Sequence, residues 1–273
     1  MRQTAHVNGV DMVYEDIGPT DAPAVLLTHG FPLGRWMWDA QRETILAAGY
    51  RGILPDLRGL GETPATPPPY SMDRYADDLA ALLDHLSVER VVLGGLSMGG
   101  YIAFAFWRRY HSRVAALLLA DTRHTPDTPE ARQNRYRAIE GVRADGVRSF
   151  SDNFAVGLLG ATTKAENPAF LAALRERIAT NPADGVVGAL AALAERPDST
   201  PTLPTIDVPT LVLVGAEDGL TPPAVHAEMH AAIAGSRLVV IPAAGHMSPM
   251  EAPPAFNAAF GDFLNEIRIE TAR

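Results

Sequence analysis

The 273-residue sequence contains no cysteine. This absence excludes a disulfide framework, a thiolate nucleophile and any zinc site with a cysteine ligand, and it fits a reducing compartment. Basic residues are also few, since 23 Lys and Arg stand against 32 Asp and Glu and the formal charge is −9. Nucleic-acid surfaces depend on clustered positive charge. The composition therefore predicts no nucleic-acid partner.

Long apolar runs are absent as well. A membrane-crossing helix needs about 18 or more apolar residues in succession, and the first residues lack the apolar core of a secretory signal. We therefore expect no membrane association and a cytoplasmic location. Hydrophobic residues still make up 47% of the chain, which is ample material for a large core.

Short apolar runs alternate with helical patterns along most of the chain. Six nearly continuous runs are typical of parallel strands buried on both faces: Ala24–Thr28, Arg51–Pro55, Arg90–Leu93, Ala115–Ala120, Thr210–Val214 and Arg237–Ile241. Helices are predicted at Asp73–Leu86, Gly100–Tyr110, Ala224–Ile233 and Ala255–Ile267. Asn8-Gly9 between two alternating runs adds an N-terminal hairpin. The fold class predicted is α/β, with a mostly parallel eight-stranded sheet covered by helices on both faces.

The strand–helix alternation stops between residues 123 and 205. Three helices are predicted there, at Glu130–Ala144, Ala169–Thr180 and Gly185–Glu195, and both borders are rich in proline. We interpret residues 123–205 as a helical cap inserted into a core domain of residues 1–122 and 206–273. Such a cap can cover the carboxyl ends of the strands.

One serine lies among four glycines in the segment 93–101. Gly95-Leu96-Ser97-Met98-Gly99 matches G-x-S-x-G between a predicted strand and a predicted helix, as in a nucleophile elbow. A structural or phosphate-binding glycine turn is the alternative, but the signatures of the P-loop and of the dinucleotide fingerprint are missing. The pattern predicts that Ser97 is a nucleophile.

A serine nucleophile needs a base to accept its proton and a carboxylate to orient that base. Asp218 and His246 each follow a predicted strand, at the sheet edge where open α/β folds place their sites. The chain order Ser97, Asp218, His246 is the order described for hydrolases with a nucleophile elbow. Asp121 ends the strand before the cap and is the alternative acid, whereas Glu217 is expected to point away from the histidine.

The oxyanion formed by serine attack needs two N–H donors. The backbone N–H of Met98, next after the serine, is one expected donor. The other is the N–H of Phe31, in the loop after the first central strand, where Gly30 allows the chain to turn.

The remaining histidines are predicted to have no catalytic role. His226 and His230 share a helix face but lack the H-E-x-x-H order, so a solvated face is expected and no metal site is predicted. A surface or structural role is expected for His6, His85, His111 and His124.

Taken together, these motifs resemble those of the α/β-hydrolase superfamily over nearly the whole chain. The matching segments are His29-Gly30-Phe31-Pro32 for the oxyanion loop, Asp56–Gly61 for the Asp-x-Arg-Gly-x-Gly turn of that family, Gly95–Gly99 for the elbow, Val214–Asp218 for the acid loop, and Gly245-His246 with Glu251 for the histidine loop. The chain is most similar to cofactor-free carboxylesterases, perhydrolases and enol-lactonases. An epoxide hydrolase or dehalogenase is disfavoured, because those relatives carry Asp where this chain has Ser97.

The resemblance implies a cofactor-free serine hydrolase that cleaves small to medium carboxylic esters through an acyl-enzyme. A lactonase or enol-lactonase with the same triad, and a ligand receptor on a hydrolase scaffold, stay open as alternatives. Residues expected to line the substrate pocket are Trp36, Met37, Phe154 and Leu158. A carboxylate-bearing lactone would need a cationic contact, for which the candidates are Arg35, Arg123 and Arg143. The oligomeric state is left open.

Overall fold

The computed structural model describes residues 2–267, which contain one eight-stranded sheet. Its strands are β1 Arg2–Val7, β2 Val10–Ile17, β3 Ala24–Thr28, β4 Arg51–Pro55, β5 Val91–Leu96, β6 Val114–Ala120, β7 Thr210–Gly215 and β8 Arg237–Ile241. The spatial order is β1-β2-β4-β3-β5-β6-β7-β8. Only the β1–β2 and β2–β4 pairs are antiparallel among these strands. The predicted mostly parallel sheet is confirmed.

The first two strands form the predicted hairpin. Asn8 and Gly9 connect them with φ angles of 46° and 74°, which is the left-handed pair that a two-residue hairpin turn requires. Val7 and Val10 are paired on either side of the turn.

Ten α-helices accompany the sheet within residues 2–267. They are α1 Arg42–Ala47, α2 Met72–His85, α3 Met98–Tyr110, α4 Pro129–Phe154, α5 Ala161–Glu166, α6 Pro168–Ala179, α7 Ala183–Ala194, α8 Pro223–Ala232, α9 Ser248–Glu251 and α10 Pro253–Glu266. None of the helices in this part of the chain combines the length and apolar character needed to cross a membrane.

Buried side chains form one cluster on each face of the sheet, because successive residues of a strand point to opposite faces. In β3, Leu26 belongs to the cluster that contains α2 and α3, whereas Val25 and Leu27 belong to the cluster that contains α1 and α10. The near-continuous apolar runs of the central strands follow from this double coverage.

Between β6 and β7 the described chain holds helices α4 to α7 and no strand. The first of them continues ten residues beyond the predicted end at Ala144. Gly146 breaks its regularity with φ 81° and ψ 171°, and the helix resumes at once, whereas sequence reasoning takes a glycine as a helix end. The short α5 was not predicted. We call the segment that contains α4 to α7 the cap, and the domain division at residues 123 and 205 stays a prediction.

Candidate active site

Ser97 lies in the sharp turn between β5 and α3. Its φ of 54° and ψ of −111° are unusual for a residue with a side chain, and such strain is common where a side chain is held for function. A Cβ on Gly95 would lie 2.2 Å from the carbonyl carbon of Gly99, and a Cβ on Gly99 would lie 2.4 Å from the carbonyl oxygen of Thr28. The flanking glycines therefore allow backbone segments to touch around the serine. The N-terminus of α3 also favours negative charge at this point.

His246 and Asp218 form a buried hydrogen-bonded pair. The distance from His246 Nδ1 to Asp218 Oδ2 is 2.8 Å, and each residue is only 3% exposed. The Asp218 carboxylate also accepts hydrogen bonds from the N–H groups of Leu220 and Thr221, at 2.8 and 2.9 Å, and from the Thr221 hydroxyl at 2.6 Å.

These contacts keep Asp218 ionised. Burial raises the pKa of the Asp218 carboxyl, but the charge of His246 and the hydrogen bonds from His246 and Thr221 outweigh burial and lower the pKa below its usual value. An ionised carboxylate at Nδ1 holds the proton on that nitrogen. Nε2 of His246 is then left with the lone pair that a base needs.

Ser97 and His246 line the same cavity, which has a volume of about 360 Å³. Its apolar lining residues are Phe31, Tyr101, Ala131, Ala138, Phe150, Phe154, Leu158, Leu190, Leu193 and Leu220. Its polar lining residues besides the serine and histidine are Arg123, Asp127, Asn134, Arg135 and Thr221. Phe154 and Leu158, two of the predicted pocket residues, are thus in the lining. A mostly apolar cavity with a few convergent polar groups is typical of a small-molecule site.

Trp36 and Met37 lie elsewhere, which corrects the expectation that they line this pocket. They border a separate cleft of about 280 Å³ that includes Arg177, whose guanidinium is 5.0 Å from the Trp36 ring centre. Met37 is buried in the core and its sulfur accepts a hydrogen bond from the N–H of Gly30 at 3.4 Å. The helical turn Arg35–Gln41, which carries both residues, therefore contacts the oxyanion loop.

The loop of residues 29–32 passes directly against the serine. A Cβ on Gly30 would lie 3.5 Å from the Cβ of Ser97, so the backbone itself contacts the turn. His29 fixes this loop: its Nε2 accepts from the Leu57 N–H at 2.9 Å and its Nδ1 donates to the Gly30 carbonyl at 2.8 Å. Burial lowers the pKa of His29, which keeps the imidazole neutral. The histidine of this motif is a structural support.

The two expected oxyanion donors are available for a ligand. Within residues 2–267, neither the N–H of Phe31 nor that of Met98 donates to a protein acceptor. Buried N–H groups are nearly always paired, so two unpaired groups in the segments that flank the site can donate to a bound ligand. The cap also reaches this loop, since the Asn181 side-chain amide donates to the Pro32 carbonyl at 2.8 Å.

Asp121, the alternative acid, has different partners. It accepts from the Gly215 N–H at 2.8 Å and from the Ser248 hydroxyl, and no hydrogen bond joins it to His246 within the described residues. Burial, and then the charge of Asp218, raise the pKa of Asp121 well above its usual value. The side chain links the ends of β6 and β7 to the loop after His246.

Glu251 has a role at the site that the sequence alone did not define. One carboxylate oxygen accepts from the N–H groups of Gly245 and Met247, both at 3.0 Å, on either side of His246. The other oxygen accepts from the Gly160 N–H in the cap at 2.8 Å. Glu251 therefore holds the histidine loop and joins it to the cap.

Glu217 makes a second link to the cap. Its carboxylate accepts from the Thr162 N–H at 2.8 Å and from the Thr162 hydroxyl at 2.5 Å. These hydrogen bonds lower the pKa of Glu217. It neighbours Asp218 in sequence, and its partner is the start of α5.

The three candidate arginines have different surroundings. Arg35 is buried and pairs with Asp56 and with Glu62, so it is not free to bind a substrate. Arg143 lies exposed on α4 and is not in the cavity lining. Arg123 is in the lining. Of the three candidates, Arg123 is therefore the one that borders the cavity.

The expectation of a solvated face is wrong for His226. This residue is fully buried, and its Nε2 accepts from the Thr122 N–H at 2.9 Å. Burial lowers the pKa of His226 to about 4. The side chain satisfies a buried backbone group that follows β6, a partner that the helix pattern did not reveal. His230 lies at the surface and contacts Ser236.

Comparisons with known proteins agree with this geometry. The family described as alpha/beta hydrolase fold matches residues 23–253. The chain is 43% identical to a thermophilic esterase from Thermogutta terrifontis, with a TM-score of 0.93 over 98% of this chain and 100% of that one. It is 30% identical to an enol-lactonase from Burkholderia xenovorans, with a TM-score of 0.89 over 97% and 100% of the two chains. It is also 30% identical to a bifunctional esterase/perhydrolase of Acinetobacter calcoaceticus, over 79% of this chain and 81% of that protein.

Proposed function

Because the chain belongs to the alpha/beta hydrolase family, we propose that this hydrolase cleaves carboxylic esters with Ser97, His246 and Asp218 as its triad. One observation carries the proposal. A strained serine borders one cavity together with the histidine of a buried histidine–aspartate pair, and the two expected backbone N–H donors have no acceptor within residues 2–267.

In the first half of the proposed reaction, Ser97 Oγ bonds to the acyl carbon while its proton passes to His246 Nε2. The negative charge that develops on the carbonyl oxygen is bound by the N–H groups of Phe31 and Met98. The oxyanion then collapses, and His246 gives its proton to the leaving alcohol. Asp218 stays ionised and stabilises the imidazolium while it exists.

In the second half, a water molecule replaces the alcohol. His246 accepts a proton from this water, whose oxygen bonds to the acyl carbon of the acyl-enzyme. The same two N–H groups bind the second oxyanion. Its collapse releases the carboxylic acid and returns the proton to Ser97.

Lactone hydrolysis is the second candidate. A cyclic ester presents the same carbonyl and needs the same residues, and one of the similar structures is an enol-lactonase. The cationic side chains in the cavity lining also favour a substrate with an acidic group.

The test is the Ser97→Ala variant with p-nitrophenyl butyrate. We expect kcat to fall at least about 1,000-fold, because the nucleophile is removed while the fold is kept. A fluorophosphonate probe should label the wild type and fail to label the variant. Ser112→Ala, an exposed serine, serves as the matched control and should keep full activity.

Two outcomes would contradict the proposal. Equal rates for wild type and Ser97→Ala would remove the serine from the mechanism. Absence of turnover with every ester and lactone, in a folded wild-type protein that the probe does not label, would favour the receptor alternative.

A further inference from the structure

Arg123 differs from the other arginines around the cavity in its partners. Its guanidinium donates to the backbone carbonyl of Leu220, and no carboxylate pairs with it among residues 2–267. Arg135, by contrast, pairs with Asp127. The same aspartate also pairs with the buried Arg196 at 2.7 Å. Arg123 is thus the cationic lining residue whose charge the described protein leaves uncompensated.

The side chains that line the cavity therefore carry a net positive charge, although the whole protein is acidic. Two arginines and one aspartate are in its lining. That aspartate, Asp127, also pairs with Arg196, which is not among the lining residues. The whole chain carries a formal charge of −9. An anion is therefore attracted to this cavity against the charge of the rest of the surface.

Arg123 is also close to the reacting groups along the sheet edge. It follows β6 by three residues, and β6 pairs with β5 so that Ala120 lies beside Leu96, the residue before Ser97. Its partner Leu220 lies two residues after Asp218, and the N–H of Leu220 donates to the Asp218 carboxylate. A group bound by Arg123 therefore lies in the same cavity as the bond that Ser97 attacks.

We propose that the substrate is an ester or lactone bearing a second, ionised carboxylate that binds to Arg123. The guanidinium fork matches a carboxylate in shape and hydrogen-bonding pattern. The inference rests on the proposed function, since Ser97 must supply the chemistry. It goes beyond it by naming the substrate class and the residue that selects it.

The experiment compares substrates that differ in one charge. Mono-p-nitrophenyl adipate and p-nitrophenyl hexanoate test a carboxylate on the acyl side. For the alcohol side, the pair is 4-acetoxybenzoate and its neutral methyl ester. We expect wild type to prefer the anionic member of at least one pair, and Arg123→Gln to lower kcat/KM for that member about 10- to 100-fold, as for loss of a charged hydrogen bond. The neutral esters should lose clearly less kcat/KM, since they carry no charge for the guanidinium to bind.

Two further variants isolate the charge. Arg123→Lys keeps it and should recover part of the preference for the anion. Arg143→Gln makes the same change at an exposed position of the cap outside the cavity lining, and it should behave as wild type. Higher ionic strength should reduce the anionic preference of wild type more than that of Arg123→Gln.

Equal losses for anionic and neutral substrates in Arg123→Gln would overturn the inference, as would a wild type that prefers the neutral member of both pairs. Calorimetric titration of Ser97→Ala with adipate separates this result from a failure of the proposed chemistry. Adipate should bind to that protein, and adding Arg123→Gln should weaken binding. Binding that is undetectable, or unchanged by the second substitution, would contradict the anion site even if esters are cleaved.

Discussion

Phe150 separates the candidate cavity from a depression on the cap surface. The ring lies 6.0 Å from the ring of Phe31 and 4.9 Å from that of Phe154, on which it stacks. It lines both the cavity of about 360 Å³ and the neighbouring space of about 410 Å³, as do Ala138 and Phe154. Phe150→Ala should connect the two spaces, so that an acyl chain stopped by the ring can continue.

The expected gain follows from the apolar area that a longer chain buries. Each methylene group removed from water contributes about 0.8 kcal/mol, or a factor of about 4 in kcat/KM. If Phe150→Ala accommodates about two more methylenes, its kcat/KM for the longest ester that fits should exceed that of the wild type about 15-fold. The variant should lose less stability than the roughly 3–5 kcal/mol of a fully buried Phe→Ala change, because Phe150 is only partly buried.

The assay is kcat/KM for p-nitrophenyl esters from acetate to decanoate. Wild type should reach a maximum at a shorter acyl chain than Phe150→Ala, while both cleave acetate at similar rates. Phe170→Ala is the matched control, since it removes a cap phenylalanine that borders the other cleft. An unchanged chain-length optimum in Phe150→Ala, or the same shift in Phe170→Ala, would refute the reasoning.

Two other predictions concern buried titratable groups. Asp218→Asn should lower kcat about 10⁴-fold by fixing the wrong histidine tautomer. The kcat of Asp121→Asn should stay within about tenfold of the wild type, because the hydrogen bond to His246 comes from Asp218 and not from Asp121. Steady-state rates with p-nitrophenyl butyrate test this, and the reverse ranking would exclude Asp218 as the acid. His226 has a pKa of about 4 in the folded state and about 6.5 when unfolded, so the unfolded chain takes up the proton first as pH falls and up to about 3 kcal/mol of stability is lost between pH 6.5 and 4. Urea unfolding should show a flatter pH dependence for His226→Gln, and parallel curves for the two proteins would contradict this origin.

The strands could be predicted because burial on both faces leaves a direct trace in the sequence. The ends of the strands were harder to predict, and β5 shows the reason. The apolar run stops at Leu93, yet the strand continues through Gly94 and Gly95 to Leu96. A Cβ on Gly94 would lie 2.4 Å from a methyl carbon of Leu27, so the glycine is required by packing against the neighbouring strand. A sequence pattern does not contain that contact.

The candidate triad could be found for a related reason. Ser97, Asp218 and His246 each follow a strand, and parallel strands bring their carboxyl ends to one edge. No comparable rule predicts from sequence which side chains line the pocket. Trp36 and Phe154 are both aromatic residues, and only the packing of the folded chain decides that Phe154, and not Trp36, lines the cavity that contains the serine.

The arginines show the same limit for charge. Arg35 and Arg123 both follow strands at the sheet edge, and from the sequence alone either can serve as an anion contact. They differ because Asp56 and Glu62, more than twenty residues away along the chain, neutralise Arg35. The available charge of a side chain is therefore a property of the folded neighbourhood, which local sequence does not determine.

The cap is tied to both halves of the candidate site through main-chain groups. Asn181 binds the Pro32 carbonyl in the oxyanion loop, and Gly160 donates to Glu251, which in turn holds the N–H groups beside His246. Hydrogen bonds of this kind fix the positions of backbone atoms on which the proposed chemistry depends. Because α4 and α7 of the same segment line the cavity, a change in the cap that alters substrate selection also acts on the geometry of the reacting groups.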